Sequence, residues 1–263
     1  MAAQLKSHTV ATEGGLTLVL TISNPEMRNA LGPEMYAAGV EALSVAETNA
    51  EIRSVIITGE GPMFCAGGNL NRLLSNRQQP PEVQAQSIEG LNNWIEAIRT
   101  FPKPVVAAVE GPAAGAGFSL ALACDLIVAA NNAQFVMAYS SVALSPDGGS
   151  SWHLSRALPR HTAAQIMLLG ERIAATRLHE LGVVTQLSQP EQAFSDALAL
   201  CEKLNQRAPT SMASIKDLVE SAASQSLHQQ LQQERDHFVR NLHHANGGIG
   251  IGAFLSKETP KYI

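Results

Sequence analysis

Residues 54–70 read SVIITGEGPMFCAGGNL, and residues 104–120 read PVVAAVEGPAAGAGFSL. The two stretches follow one plan. Each opens with β-branched and small apolar residues that suit a buried strand. Each then reaches Glu-Gly-Pro, crosses a run rich in alanine and glycine, and turns into a segment led by leucine. A plan repeated within one chain marks stacked, similar supersecondary units, here strand, strand and helix wound as a spiral. Where a strand ends in glycines and runs straight into a helix, the first helical turn carries backbone N–H groups with no internal partner. The helix dipole adds partial positive charge there. Gly115-Ala116-Gly117 opens such a helix, and Gly67-Gly68 holds the matching place in the first stretch. If the two loops face each other, two N–H donors converge on one point, which suits a developing oxyanion.

The flanks extend the same pattern. Residues 17–22 (TLVLTI) predict a strand, closed by Asn24-Pro25. Residues 33–47 have helical spacing with Pro33 in the first turn. Strands are predicted over 53–58, 104–109, 126–129 and 134–136, with a small-residue loop over 59–69. QQPPE at 78–82 reads as a surface break before a helix over 87–99. From His153 onward the pattern is almost wholly helical, apart from one last short strand at 183–187. The fold class is α/β.

Composition bounds the function. With 263 residues, 45% apolar and 16% charged, the chain can bury a sizeable core. A formal net charge of −5 argues against nucleic acid as the main partner. It leaves room for a small anionic ligand, which needs only local cations. Cys65, Cys124 and Cys201 are sparse and sit at no metal-ligand spacing, as in a reducing compartment. No metal site is expected. The opening MAAQLKSHTV lacks the apolar core of a signal peptide, and no window approaches a membrane span. A cytoplasmic protein without a membrane partner is the expectation.

Several motifs together resemble the crotonase (enoyl-CoA hydratase/isomerase) superfamily. Residues 64–70 (FCAGGNL) are similar to its oxyanion-hole loop Phe-x-Ala-Gly-x-Asp-Leu/Ile, and 111–117 (GPAAGAG) to the second half, Gly-x-Ala-x-Gly-Gly-Gly. Asn24-Pro25 with Met27-Arg28-Asn29-Ala30-Leu31 resembles the early Asn-Pro…Arg-Asn-Ala-Leu element, and 253–257 (AFLSK) the C-terminal Ala-Phe-Leu-x-Lys element. These matches run in order along nearly the whole chain. The resemblance implies a spiral of ββα repeats over residues 1–200 and a helical C-terminal trimerisation region over 201–263. It implies a homotrimer or dimer of trimers acting on an acyl-coenzyme A thioester. Coenzyme A enters as part of the substrate, with no permanently bound cofactor. By position, the oxyanion donors fall on Gly68 and Ala116. Arg28, Ala30, Ala66 and Leu70 map to the coenzyme A cleft, and Phe254 and Lys257 to a nucleotide contact, often on a neighbouring subunit.

The two glutamates of the hydratase branch fall on Ser119 and Tyr139, neither of which is a carboxylate. Serine and tyrosine are poor bases near neutral pH without an activating partner, so hydration by the two-glutamate route is not expected. Residues 145–152 (SPDGGSSW) instead resemble the Pro-Asp-x-Gly-Gly-Thr/Ser-Trp segment of the epoxyphenylacetyl-CoA isomerase branch, where the aspartate sits over the acyl group. One carboxylate beside an oxyanion hole can move a proton between two carbons. Asp147 is therefore the expected proton shuttle, with Phe118, Ser119, Tyr139, Leu144 and Trp152 about the acyl group. Asp147 also matches the nucleophile of the 4-chlorobenzoyl-CoA dehalogenases, but a tryptophan of that branch is replaced here by Tyr139. Pro-Asp-Gly-Gly is also strong turn chemistry, which gives Asp147 a second reading as a helix cap. A coenzyme A-binding paralogue with little catalysis of its own is a third reading of the chain.

Other residues carry less. Cys65 reads as packing, Asp125 as a buried structural carboxylate, and His243-His244 as a solvated helix end. The sequence departs from the family pattern at Asn69, where an aspartate is usual, in 155–160 (SRALPR), and in the glycine-rich 247–252 (GGIGIG), which is expected to loosen the last helix.

Overall fold

The computed structural model describes residues 3–263. Its strands, in chain order, are β1 (Gln4–Thr12), β2 (Gly15–Ser23), β3 (Ile52–Gly59), β4 (Val105–Val109), β5 (Pro112–Ala114), β6 (Leu126–Ala130), β7 (Gln134–Val136), β8 (Arg172–Ala174) and β9 (Gln186–Ser188). Its helices are α1 (Pro33–Thr48), α2 (Leu70–Asn76), α3 (Pro81–Thr100), α4 (Ala116–Ala123), α5 (Ser150–Ala157), α6 (Arg160–Leu169), α7 (Ala175–Glu180), α8 (Ala193–Asn205), α9 (Pro209–Ala222), α10 (Leu227–His243) and α11 (Ala245–Ser256).

The main sheet runs β1-β2-β3-β4-β6-β9, and a smaller one runs β5-β7-β8. Strands β2, β3, β4, β6 and β9 are parallel, and β1 closes one edge antiparallel to β2. Successive side chains point to opposite faces. Val55, Ile57, Val105, Ala107 and Val109 enter the larger core with Phe64, Trp94 and Phe118. Val19, Ile56, Val106, Ala108 and Val128 meet Ala197 and Cys201 of α8 on the other face. Burial on both faces is why β4 reads as an unbroken apolar run.

The internal echo is spatial as well as sequential. Val55 through Thr58 pair with Val105 through Ala108, so residues fifty apart in sequence stand side by side. Two edge strands stand apart from the sequence pattern. The polar, mostly exposed β1 has one neighbour only and gave no alternating signal. The three-residue β8 lies in a stretch whose pattern predicts helix; at that length pairing with β7 outweighs local propensity. The boundary expected after residue 200 falls inside α8.

The C-terminal helices are tied to the sheet by a half-buried ion pair. Lys216 Nζ on α9 donates to Asp125 Oδ2 at 2.8 Å and to the Ile98 carbonyl oxygen at 3.0 Å, and Asp125 Oδ2 also accepts from the Val105 N–H at 2.8 Å. Burial lifts the Asp125 carboxyl above the ordinary carboxylate value despite Lys216. Asp125 is thus the structural carboxylate expected from sequence. Lys216→Met leaves that half-buried carboxylate without its cation and lowers stability by about 1–3 kcal/mol. Denaturant unfolding measures the loss, and adding Asp125→Asn recovers part of it.

The glycine run at 247–252 lies within α11 without interrupting it. The chain's end returns to clamp that helix: Asn246 Nδ2 donates to the Ile263 carbonyl oxygen, and the Ile263 N–H donates to Asn246 Oδ1, both at 2.9 Å. Leu231, Phe238 and Leu242 on α10 and Ile251, Phe254 and Leu255 on α11 leave large apolar surfaces exposed. Among the described residues no helix is long and apolar enough to cross a membrane.

Candidate active site

The site starts from the loop after β2. Asn24 Nδ2 donates to the Ala30 carbonyl oxygen at 3.0 Å, and Asn29 Nδ2 donates to the carbonyl oxygens of Glu60 at 2.9 Å and Met63 at 2.7 Å. These bonds account for both asparagines of the early motif. They hold Arg28 and Asn29 in left-handed backbone conformations, at φ 55° and 56°. The loop then clasps the first glycine stretch: the Ala66 N–H donates to the Arg28 carbonyl oxygen at 3.0 Å, and the Leu31 N–H to the Gly67 carbonyl oxygen at 2.8 Å.

The two glycine stretches meet directly. The Cys65 N–H donates to the Pro112 carbonyl oxygen at 3.2 Å, and the Ala114 N–H to the Cys65 carbonyl oxygen at 2.8 Å. Gly67 is required by this approach, because a Cβ there would stand 2.6 Å from the Ala114 carbonyl oxygen, and its φ is +89°. Gly68 follows immediately, and Ala116 is the first residue of α4. Among the described residues no protein acceptor takes the N–H of either, and both line one cavity. Paired free N–H groups of this kind can stabilise negative charge on an oxygen.

Asn69, the departure from the usual aspartate, caps α2: its Oδ1 accepts from the N–H groups of Asn71 at 3.0 Å and Arg72 at 3.2 Å. Asparagine serves that position as well as aspartate. Cys65 is wholly buried, and burial pushes its thiol up to about 12, so it stays protonated and packs as expected.

Asp147 lines the same cavity as Gly68 and Ala116. Its carboxylate does not cap α5. Its backbone carbonyl oxygen does that work, accepting from the Ser150 N–H at 3.3 Å, Ser150 Oγ at 3.1 Å and Ser119 Oγ at 3.0 Å. The side chain is left for the cavity, where Oδ1 accepts from the Tyr139 hydroxyl at 2.6 Å. Burial raises the Asp147 pKa above the usual carboxylate value, and the Tyr139 hydrogen bond offsets part of that rise. The Tyr139 hydroxyl is held protonated, first by burial and then by the neighbouring Asp147 charge.

The cavity holds about 1330 Å³ and is lined by Gly68, Ala116, Asp147, Tyr139 and Leu144 together with residues of α2 and α3. A second cleft of about 380 Å³ shares Ala66, Gly68 and Leu70 with it and adds Arg28, Ala30 and Arg172. The structure therefore gathers Gly68, Ala116, Asp147, Tyr139, Leu144, Arg28, Ala30, Ala66 and Leu70 about two adjoining hollows. Three residues expected around the acyl group lie elsewhere. Phe118 is fully buried against Phe135, at 4.9 Å between ring centroids, because all of α4 faces the core. Ser119 is buried behind Asp147 and anchors its backbone. Trp152 lies outside the cavity, between the Arg99 and Arg156 guanidiniums. Phe254, 83% exposed, and Lys257 lie on and just past α11, away from this chain's cavity. Tyr36, Arg72 and Arg172 line the hollows and were missed from sequence, since no local motif marks them.

Residues 12–263 match the family model described as enoyl-CoA hydratase/isomerase. The chain is 36% identical over 246 residues to the 1,2-epoxyphenylacetyl-CoA isomerase of Escherichia coli K12, covering 93% of this chain and 94% of that one. It is 31% identical over 245 residues to the 2,3-dehydroadipyl-CoA hydratase of the same organism, at the same coverage. A crystal structure of an enoyl-CoA hydratase from Polaromonas sp. JS666 superposes with a TM-score of 0.96 at 64% identity, covering 99% of this chain and 100% of that one. With the fold, the paired glycine loops and these likenesses in agreement, the chain belongs to the enoyl-CoA hydratase/isomerase (crotonase) family.

Proposed function

We propose that this chain moves the double bond of an enoyl-coenzyme A thioester, with Asp147 carrying the proton. The observation that supports this most is the single carboxylate: among the residues lining the large cavity, Asp147 is the only one. The carboxylate takes a proton from the carbon next to the thioester. The C–H electrons pass into the thioester carbonyl, whose oxygen gains charge between the Gly68 and Ala116 N–H groups. The half-buried Asp147 carboxyl exchanges its proton with solvent and then protonates the resulting dienolate at its far carbon; the carbonyl re-forms, and the double bond has moved. No water is consumed. The coenzyme A portion, a part of the substrate and not a resident cofactor, lies along Arg28, Ala30, Ala66 and Leu70, with Arg172 as a second cation. Phe254 and Lys257 complete that cleft from a neighbouring subunit, in a homotrimer or dimer of trimers joined through the apolar surfaces of α10 and α11. An exposed apolar area of this kind favours such association.

A second reading is a hydratase, favoured by the relatives that carry that name. The test is product analysis. A β,γ-enoyl thioester becoming its conjugated isomer, with an α,β-enoyl thioester left unhydrated, supports isomerisation. Water added to the α,β-enoyl thioester as the main reaction overturns it.

The raised pKa sets a pH dependence. A base acts only when deprotonated, so activity falls as pH drops through the Asp147 pKa, and the acid limb lies above the usual carboxylate value of about 4. Tyr139→Phe removes the donor that favours the charged form, so the limb moves to higher pH. A pH profile of kcat/KM for both proteins measures the displacement.

A further inference from the structure

The large cavity holds more than the reacting carbons need. The end between α2 and α3 is lined by Tyr36, Arg72, Asn76, Arg77, Gln84 and Asn92. That end is polar and cationic. The two arginines are its only charged residues, and the cavity's one carboxylate is Asp147, whose charge also acts on the Tyr36 hydroxyl. Asn76 and Gln84 satisfy each other, with Asn76 Nδ2 donating to Gln84 Oε1 at 2.8 Å. Arg72 meets the Tyr36 hydroxyl but no carboxylate. Arg99, Arg177, Arg235 and Lys216 each pair with a carboxylate, whereas no described carboxylate lies within ion-pair reach of Arg72. Its Nε is shielded from solvent without an acceptor. The only neighbour the guanidinium influences strongly is the Tyr36 hydroxyl, where it offsets part of the rise that burial causes.

A guanidinium in a cavity without a counter-ion is costly, and a ligand that supplies one recovers that cost. Its planar fork matches a carboxylate in two-point geometry. We propose that Arg72 is a specificity-determining residue that binds a carboxylate at the far end of the acyl chain. The preferred substrate is then the coenzyme A monothioester of a dicarboxylic acid, and not of a plain fatty acid. The Tyr36 hydroxyl gives the same carboxylate a second donor. This inference rests on the acyl-coenzyme A reading of the cavity.

The test is binding, so that it stands apart from turnover. Saturated, unreactive probes are used: the monothioesters of hexanedioic and octanedioic acids, against hexanoyl- and octanoyl-coenzyme A. The native protein is expected to bind the carboxylated probe of at least one length more tightly than its methyl-ended counterpart. Arg72→Met should cut affinity for that probe by about 10- to 100-fold while leaving the methyl-ended probe unchanged or improved. Retained binding of the methyl-ended probe also shows that the variant is folded. Arg72→Lys should restore part of the loss. Equal affinity of the native protein for both probe types, or an equal loss of both in Arg72→Met, overturns the proposal. If no probe of either type binds, the acyl-coenzyme A reading itself fails. Discrimination by Arg72 without double-bond migration in any assay keeps the specificity assignment and rejects the isomerase.

Discussion

Asp147→Asn lowers kcat for double-bond migration by about 10²–10⁴-fold, the range a positioned acid–base group contributes, with KM little changed. The substitution removes basicity and almost nothing else. Asparagine has the same shape, and its Oδ1 can still accept from the Tyr139 hydroxyl. The bonds that fix this segment run to the Asp147 backbone carbonyl oxygen from Ser119 and Ser150, and they survive the change. A loss in kcat without a loss in binding marks an interaction made only on the way to the transition state. Steady-state kinetics on a β,γ-enoyl thioester separates the two quantities. An unchanged kcat removes Asp147 from the chemistry and returns it to the turn-forming reading.

Ala116→Pro lowers kcat by about 10²–10³-fold, or roughly 3–4 kcal/mol of transition-state stabilisation, as loss of one oxyanion donor does. The backbone tolerates it for specific reasons. Ala116 is the first residue of α4, where no helical acceptor uses the N–H and proline is well accommodated. The preceding Gly115 has φ 49° and ψ −122°, outside the α region that a following proline disfavours. Its own N–H donates to the Val136 carbonyl oxygen at 2.9 Å, a bond that does not involve Ala116. Ala116→Gly keeps the donor and should keep nearly the native rate. Rate loss in the proline variant, with the glycine variant active and both folded, assigns the effect to one N–H group.

Much of the fold was legible because it is written locally. The runs that became β3 and β4 are apolar on both faces, and their echo pointed to repeated units; the structure pairs them at the same interval of fifty residues. The glycine stretches announced a close approach that Gly67 fulfils at the Ala114 carbonyl. What stayed hidden depends on tertiary placement. The edge strand β1 has no buried face to impose alternation, and β8 is too short to carry a signal. Phe118 and Trp152 are aromatic residues beside functional motifs, and sequence proximity suggested a place at the acyl group. The side that each helix turns to the core decided otherwise. Ser119 reached the site in a different capacity, holding the Asp147 backbone from behind. Arg72 was invisible because its environment is made by α3 and Tyr36, far from it in the chain.

The central claim, a single carboxylate moving a proton beside two backbone donors, is tested most directly by running the native protein and Asp147→Asn side by side on a β,γ-enoyl-coenzyme A thioester in deuterated water and reading the products by mass spectrometry. The account predicts a conjugated isomer from the native protein that gains deuterium at the far carbon, without added water, and little or none from Asp147→Asn. Water added as the main reaction, or isomerisation and labelling as fast in Asp147→Asn as in the native protein, would contradict it.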